Sequence, residues 1–262
     1  MSSKPRGICL IISNKDFGGQ GDRHGTDRDV ESLSRVFSWL GFRVLLCVDK
    51  TAQEMKEVLE AISNLMYPYI QQCGLYEYNE AKGNLTPLKG LLHHGDAFVC
   101  CLMSHGGKTG VCGVDDEELP MDQILLPFNG VKCPALIGKP KAFFIQACRG
   151  RAKMRGKQMD LSGGSKLPTT DPETQRCFIP SEADFLVVRS TVQNYVSYRT
   201  AELGSTFIQT LCSQLISDCP RGEDILTILT TVNDKVSQKG DSANKQVSEG
   251  SFTLRKRLVF PV

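Results

Sequence analysis

A histidine and a cysteine each follow an apolar run of strand length, and together these two side chains can perform nucleophilic catalysis. His105 comes directly after AFVCCLMS and precedes two glycines, whereas Cys148 closes KAFFIQA and precedes an arginine and a glycine. If the two strands are parallel neighbours, both side chains emerge at the same edge of the sheet. A thiolate is a nucleophile, and a neighbouring imidazole can accept its proton or protonate a leaving amine.

Eleven cysteines occur in the chain, so a buried core thiol is the competing interpretation of Cys148. Most of the others lie inside apolar runs such as GICLII and VLLCV, where they are expected to be small core residues. No pair has the two-residue spacing of a zinc ribbon or a dithiol redox motif. We therefore expect no metal, and position alone leaves the two interpretations of Cys148 about equally supported.

The segment HGGKTG, residues 105–110, resembles the end of a phosphate-binding loop. That motif requires a glycine five positions before Gly107, and Leu102 stands there. The match fails, so no nucleotide cofactor is expected.

Composition places the chain among ordinary globular proteins. It has 262 residues, of which 40% are hydrophobic and 23% charged, and its net charge is +2. A near-neutral chain gives no reason to expect a nucleic-acid or membrane-surface partner. No apolar run reaches the roughly 20 residues of a membrane helix, and no secretion signal is recognisable. Unpaired thiols without such a signal indicate a reducing compartment, and the cytoplasm is the expected location.

Five apolar runs of strand length must position these side chains. They are GICLIIS, FRVLLCV, AFVCCLM, KAFFIQA and DFLVVRS. Continuous apolar runs without polar alternation are typical of strands covered on both faces. Four helical periods lie among them, at 26–40, 51–66, 205–219 and 223–236, and Thr51 with Glu54 has capping-box spacing. This alternation predicts an α/β fold with a mainly parallel sheet between helices.

Two segments interrupt the alternation. Residues 67–95 contain scattered prolines, glycines and aromatic residues, and we expect a long irregular insertion there. Residues 149–181 are rich in glycine and polar residues, which indicates a flexible connection between two halves of the fold. The basic residues at 149–157 allow an interaction patch as an alternative, although a solvated loop is favoured.

A family resemblance then favours the catalytic interpretation. QACRG, residues 146–150, matches the signature of caspases, which place a histidine about 50 residues upstream. His105 lies 43 residues before Cys148. The segments KPRGICLIIS, RHGTD, CCLMSHG, EADFL, VSYRT, CPRGEDILTILTTVN and FTLRKRLVFP extend the likeness. The chain resembles a caspase catalytic domain over nearly its whole length, and is most similar to the initiator group that contains caspase-8 and caspase-10.

The resemblance implies a fold and a division of the chain. The expected architecture is a caspase-like three-layer sandwich with a central, mostly parallel six-stranded sheet flanked by helices. Residues 1–262 would form one catalytic domain. Within it, 1–160 would be the large subunit, 161–180 a processed linker and 181–262 the small subunit.

The same resemblance implies a cysteine endopeptidase that cleaves after aspartate. Cys148 would be the nucleophile and His105 its acid–base partner, with the backbone amides of Cys148 and Gly106 stabilising the oxyanion. Arg23, Gln146 and Arg199 would form the pocket for the substrate aspartate, because guanidinium groups bind a carboxylate through two parallel bonds. Without the resemblance, a solvated surface charge is the ordinary interpretation of either arginine.

Further expectations concern neighbouring substrate residues and activation. Val196 and Tyr198 would form the wall for upstream substrate residues, with a pocket open to branched aliphatic side chains. Bare sequence allows them to be a plain strand face. The bond after Asp160 is the expected processing site of a zymogen, because Pro172 follows the other candidate, Asp171, and hinders a protease.

The expected partners are protein substrates with an aspartate before the scissile bond and a second copy of the chain. The run SFTLRKRLVF, residues 251–260, would be the final strand and would pair across a two-fold axis. Initiator caspases act in apoptosis, which would be the setting. The alternative function is a catalytically weak regulator that heterodimerises with a true protease. That alternative would be favoured if residues 67–95 covered the active site.

Overall fold

The computed structural model describes residues 1–18, 21–107, 109–149, 180–193, 195–242 and 244–262. The predicted processing site, Asp160, and the rejected candidate, Asp171, lie outside these ranges. Within the described ranges, no helix is long and apolar enough to cross a membrane.

Six helices and twelve strands follow one another along the described chain. The helices are α1 (Thr26–Trp39), α2 (Ala52–Asn64), α3 (Tyr69–Gln72), α4 (Met121–Leu125), α5 (Thr206–Asp218) and α6 (Ile225–Gln238). The strands are β1 (Gly7–Ser13), β2 (Arg43–Val48), β3 (Tyr76–Asn79), β4 (Asn84–Pro87), β5 (Ala97–Met103), β6 (Gly110–Cys112), β7 (Glu118–Pro120), β8 (Lys141–Gln146), β9 (Phe185–Arg189), β10 (Arg199–Thr200), β11 (Gly204–Ser205) and β12 (Glu249–Phe252).

One eight-stranded sheet organises the molecule, in the order β12-β9-β8-β5-β1-β2-β3-β4. The strands from β9 to β2 in that order are parallel to one another, which confirms the mainly parallel sheet. Strand β12 is antiparallel at one edge, and the β3–β4 hairpin is antiparallel at the other.

Both faces of the central strands are buried, as their continuous apolar sequences predict. Alternate residues of β1 enter two separate cores: Cys9 and Ile11 pack with α1, α5 and α6, whereas Leu10 and Ile12 pack with α2. The result is the expected three-layer α/β arrangement of helices on both sides of a sheet. Burial raises the pKa of the thiols of Cys9 and of others on the central strands, which are core residues.

The four predicted helices are present, with ends shifted by no more than two residues. The predicted capping box of α2 is confirmed: the Thr51 hydroxyl accepts from the Glu54 amide at 3.2 Å, and the Glu54 carboxylate accepts from the Thr51 amide at 2.8 Å. These two bonds satisfy amide groups that the first turn of a helix otherwise leaves unpaired.

Residues 67–95 form more structure than the sequence led us to expect. They contain α3 and the β3–β4 hairpin, which adds two strands to the expected six because β3 pairs with β2. Arg43 on β2 fixes this hairpin by donating to both carboxylate oxygens of Glu77, at 2.7 and 2.8 Å, and to the carbonyls of Lys89 and Leu91. Tyr78 also packs against the core beneath α1.

The C-terminal strand is shorter than predicted. Strand β12 ends at Phe252, not at residue 260. Past this strand, the Arg255 side chain binds the Asp184 carboxylate, with the closest contact at 2.7 Å. Beyond that contact, Leu258 and Phe260 enter the core beneath α1, so their hydrophobicity reflects burial rather than a strand.

The Arg43 anchor yields a stability prediction. Replacing Arg43 with Met should lower the free energy of unfolding by about 2 kcal/mol, because partly buried charge-assisted hydrogen bonds are lost. Arg35→Met is the matched control: its ion pair with Glu31 is exposed, with side-chain exposures of 66% and 45%. The control should lose less than about 0.5 kcal/mol. Urea denaturation measures both, and equal losses would contradict the anchoring role.

Candidate active site

The parallel register of β5 and β8 brings the two predicted catalytic residues to one sheet edge. The last residues of these strands, Met103 and Gln146, are directly paired. The pairing continues beyond them, because the Ser104 amide donates to the Gln146 carbonyl at 3.2 Å. His105 and Cys148 each follow two residues after the last pair.

The His105 ring is held by a carbonyl and an aromatic side chain. Its Nε2 lies 2.6 Å from the Gly21 carbonyl oxygen, and the Phe17 ring meets it edge-on with centroids 4.4 Å apart. A carbonyl oxygen only accepts, so Nε2 carries the proton and Nδ1 is the nitrogen able to accept another. Sequence analysis missed Gly21, because a backbone acceptor has no characteristic side chain.

Cys148 is partly buried beside Ser197. The Ser197 amide lies 3.4 Å from Cys148 Sγ and donates to it. Such a donor is a favourable contact for a thiolate. Cys148 therefore differs from the core thiols of β1 and β5, which are fully enclosed.

Gly106 is required by close backbone packing. A Cβ at this position would lie 1.6 Å from the carbonyl oxygen of Cys148, so a side chain cannot be accommodated. Within the described part of the chain, neither the Gly106 amide nor the Cys148 amide donates a hydrogen bond. Two unused amides beside a thiol can stabilise a developing oxyanion.

Arg23 is a large buried cation next to this site, with a relative exposure of 1%. Its guanidinium donates to the Asn14 carbonyl at 2.9 Å and lies 3.5 Å from the Gln146 carbonyl. Among the described residues, it forms no ion pair with a carboxylate. Burial, and next the charge of Arg199, lower the pKa of Arg23 to about 9.

Arg199 approaches this site from the beginning of β10. Its Nε donates to the His24 carbonyl at 2.7 Å, and burial lowers the pKa of its guanidinium. Gly25 permits this approach: it has φ 85°, and a Cβ there would lie 2.2 Å from the Thr200 carbonyl oxygen. Two cations thus converge near Cys148, and a carboxylate is the complementary ligand.

Gln146 is the neutral member of the three residues predicted to bind the substrate aspartate. Its Nε2 donates to the Ser197 hydroxyl at 2.7 Å, and its buried Oε1 has no hydrogen-bond partner among the described residues. A hydroxyl both donates and accepts, so a half-turn of the amide would keep this bond and present the NH₂ group instead. The amide therefore has unused capacity for a ligand.

Asp29 and Gln246 support the pocket and were missed by sequence analysis. The buried Asp29 carboxylate accepts three hydrogen bonds: from the Ser205 amide at 2.9 Å, from the Ser205 hydroxyl at 2.6 Å and from Gln209 Nε2 at 2.8 Å. Burial raises the pKa of Asp29, against these bonds, which lower it. Gln246 accepts from the Tyr198 amide at 2.9 Å. Both acquire partners only through distant parts of the chain.

Val196 and Tyr198 are half-buried, in an irregular segment rather than on a strand. The local strand β10 begins only at Arg199, so the alternative interpretation as a plain strand face is wrong, whereas the role of these residues in substrate binding stays a prediction. The Tyr198 hydroxyl lies 3.4 Å from Asn244 Oδ1, and this contact joins the segment to the loop before β12.

Comparisons with known proteins agree on one family. The sequence model of the Caspase domain matches residues 6–68 and 83–259. Mouse Caspase-8 is 41% identical, with 100% of this chain and 52% of that protein aligned. Human Caspase-10 is 37% identical over 84% of this chain and 37% of that protein.

The crystal structure of Caspase-1 from Spodoptera frugiperda is similar in fold. It has a TM-score of 0.75 at 29% identity, covering 98% of this chain and 90% of that chain. By contrast, the chain spans only about half the length of the curated Caspase-8 proteins of mouse and rat.

Arg23→Met should not lower the free energy of unfolding by more than about 1 kcal/mol, because replacing a buried, unpaired charge relieves a desolvation cost. The lowered pKa means that the unfolded chain binds this proton more tightly, so the charge opposes folding at every pH below about 9. The comparison variant Asp29→Asn should lose about 1–3 kcal/mol, since its partners lose an acceptor. Urea denaturation at pH 7 measures both, and a larger loss in Arg23→Met would contradict the desolvation argument.

Proposed function

The chain belongs to the caspase family, and from this premise we propose that it is a cysteine endopeptidase that cleaves proteins after aspartate. One observation carries the proposal: two guanidinium groups, neither of them ion-paired with a carboxylate among the described residues, lie near a partly buried thiol. That arrangement is complementary to an aspartate side chain whose own carbonyl carbon is presented to Cys148.

The proposed reaction uses each feature of the site. Nδ1 of His105 accepts the thiol proton, and the thiolate of Cys148 forms a bond to the carbonyl carbon of the substrate aspartate. The amides of Gly106 and Cys148 donate to the oxyanion. The imidazolium, stabilised by the Gly21 carbonyl, returns its proton to the departing amine as the peptide bond breaks.

The remaining acyl-enzyme is hydrolysed by water. His105 removes a proton from that water, hydroxide adds to the thioester carbonyl, and the bond to sulfur breaks. Cys148 then recovers its proton from His105. Arg23, Gln146 and Arg199 hold the aspartate carboxylate throughout, and Val196 with Tyr198 contacts the residues before it.

We further propose an initiator-type zymogen that processes itself after Asp160. Residues 1–160 would form the large subunit, 161–180 the removed linker and 181–262 the small subunit. Similarity to Caspase-8 and Caspase-10 supports the initiator assignment and an apoptotic role. A cytoplasmic location is supported by the free thiol of every cysteine that the structure describes.

The proposed active form is a homodimer joined through β12. This strand lies at the edge of the sheet, and Phe252 at its end is exposed. Arg149, which follows Cys148, forms an ion pair with Glu249 at the beginning of β12. A partner on this edge would therefore also act on the segment that carries the nucleophile.

The alternative function is a regulator that forms heterodimers. It would be favoured if residues 67–95 covered the active site. The hairpin of residues 67–95 is at the far edge of the sheet, separated from β5 by β1 and β2. The hairpin therefore does not pair with β5 or β8, the strands whose ends carry His105 and Cys148.

Cys148→Ala should abolish cleavage of a fluorogenic tetrapeptide ending in aspartate, with a loss of at least about 1,000-fold, because no nucleophile remains. Cys73→Ala is the control, because this thiol is also partly buried but lies far from Cys148 in the sequence, and the variant should retain activity. The same peptide ending in asparagine should be a poor substrate. Equal rates for both variants, or no activity in wild-type dimer verified by sedimentation, would contradict the proposal.

Asp160→Ala should prevent separation of the two subunits, because the carboxylate needed by the specificity pocket is absent at the scissile position. Asp171→Ala should still be processed, since Pro172 follows that aspartate. Intact-mass spectrometry of the purified, incubated proteins detects the fragments. Unchanged processing of Asp160→Ala, or a block in Asp171→Ala, would place the site elsewhere.

A further inference from the structure

Gln246 is a buried polar side chain that joins two segments beside Cys148. It lies between α6 and β12, and its relative exposure is 2%. Its Nε2 donates to the Ser190 carbonyl at 2.6 Å, and its Oε1 accepts from the Tyr198 amide at 2.9 Å. A carbonyl only accepts and a backbone N–H only donates, so these two groups determine the orientation of the Gln246 amide. The proposed reaction gives this side chain no task.

Ser190, one partner of Gln246, also holds the segment that carries the nucleophile. It is fully buried and directly follows β9, and its amide donates to the Ile145 carbonyl at 2.8 Å. Its hydroxyl donates to the Ala147 carbonyl at 3.2 Å and accepts from the Ala147 amide at 3.3 Å. Gln246 is therefore connected, through one intermediate, to the residue that precedes Cys148.

The Ser197 hydroxyl is the third group that Gln246 contacts. Gln246 Nε2 donates to Ser197 Oγ at 3.3 Å, in addition to its bond with the Ser190 carbonyl. A hydroxyl has two acceptor positions and one proton, and this contact uses one acceptor position. The proton of Ser197 is consequently directed away from Gln246. The side-chain amide of Gln146, with Nε2 at 2.7 Å, is the other neighbour of the same oxygen.

The Gln146 amide has one orientation that satisfies every group in this chain of hydrogen bonds. With Nε2 on Ser197, the buried Oε1 is left without a partner among the described residues. Buried acceptors are nearly always paired. After a half-turn of the amide, the Ser197 hydroxyl donates to Oε1 and still accepts from Gln246. The NH₂ group of Gln146 then occupies the position of the unpaired oxygen.

The orientation of the Gln146 amide decides which substrate side chain it can bind. An amide oxygen repels a carboxylate but can accept from the NH₂ group of asparagine, whereas an amide NH₂ group donates to a carboxylate. Aspartate and asparagine have nearly the same shape, so a pocket distinguishes them through charge and hydrogen-bond pattern. A residue that controls this orientation therefore controls part of the discrimination.

We propose that Gln246 is a positioning residue for aspartate recognition, which acts through the Ser197 hydroxyl to turn the NH₂ group of Gln146 toward the substrate carboxylate. Gln246 does not itself contact the substrate in this arrangement. The inference rests on the proposed protease function, and it assigns part of the specificity to the loop before β12.

A double-mutant cycle tests the proposal with two tetrapeptides that differ only in their last residue, aspartate or asparagine. The ratio of their kcat/KM values is the aspartate preference. Gln246→Met removes the amide and should lower this preference at least about tenfold, as the loss of one hydrogen bond to a charged group requires. Ser197→Ala should lower it to a similar extent. The double variant should lose no more than the poorer single variant, because Gln246 acts through Ser197.

Gln71→Met, the same change at an exposed glutamine on α3, is the matched control and should keep the wild-type preference. If Gln246→Met does not fold, Gln246→Glu takes its place in the cycle. A glutamate has the shape of glutamine, but in neither protonation state can it donate to both Ser190 and Ser197. It should therefore also lower the preference.

The preference separates positioning from stability, because a general loss of folded protein lowers kcat/KM for both peptides by the same factor. Equal losses with the two peptides, a wild-type preference in either single variant, or additive losses in the double variant would overturn the inference alone. A wild-type chain that cleaves neither peptide, or both equally, instead contradicts the proposed function and the inference together.

Discussion

Two guanidinium groups, one buried at Arg23 and one half-buried at Arg199, lie near each other without an ion pair to a carboxylate among the described residues, and the surrounding structure bears the cost of desolvating them. Burial, and next the charge of Arg199, lower the pKa of Arg23. The Asn14 carbonyl accepts from Arg23, and the His24 carbonyl accepts from Arg199. The nearby Asp29 carboxylate already accepts from Ser205 and Gln209. Under the proposed function, these guanidinium groups are in place before a substrate carboxylate binds, and the substrate supplies the negative charge.

Catalytic geometry depends on a second, backbone constraint. Because β5 and β8 are parallel and in fixed register, two residues that are distant in sequence leave the sheet together. The absence of a side chain at Gly106 then allows the two strand ends to approach. Neither feature requires a specialised catalytic fold element; ordinary sheet pairing and one small residue position the reacting groups.

Much of this could be predicted from sequence, because the central strands and long helices have strong local patterns. The parallel core, the four long helices and the α2 cap follow from periodicity and capping residues. The β3–β4 hairpin did not, since Tyr76 and Tyr78 form only a short alternating pattern among turn residues. The last strand was predicted too long because Leu258 is buried in another layer. Roles such as those of Gly21 and Asp29 depend on contacts across the fold, which no local pattern records.

The two edge strands of the sheet differ in how readily they could pair with a strand of another chain. Pro87 on β4 has no amide hydrogen, and the strand is only four residues long, so the hairpin edge is a poor template for another chain. The edge at β12 carries no proline. Pairing of two copies through β12 would join two eight-stranded sheets and leave hairpin edges at both ends. If two copies pair in this way, the short hairpin edges at both ends would be poor templates for adding further copies.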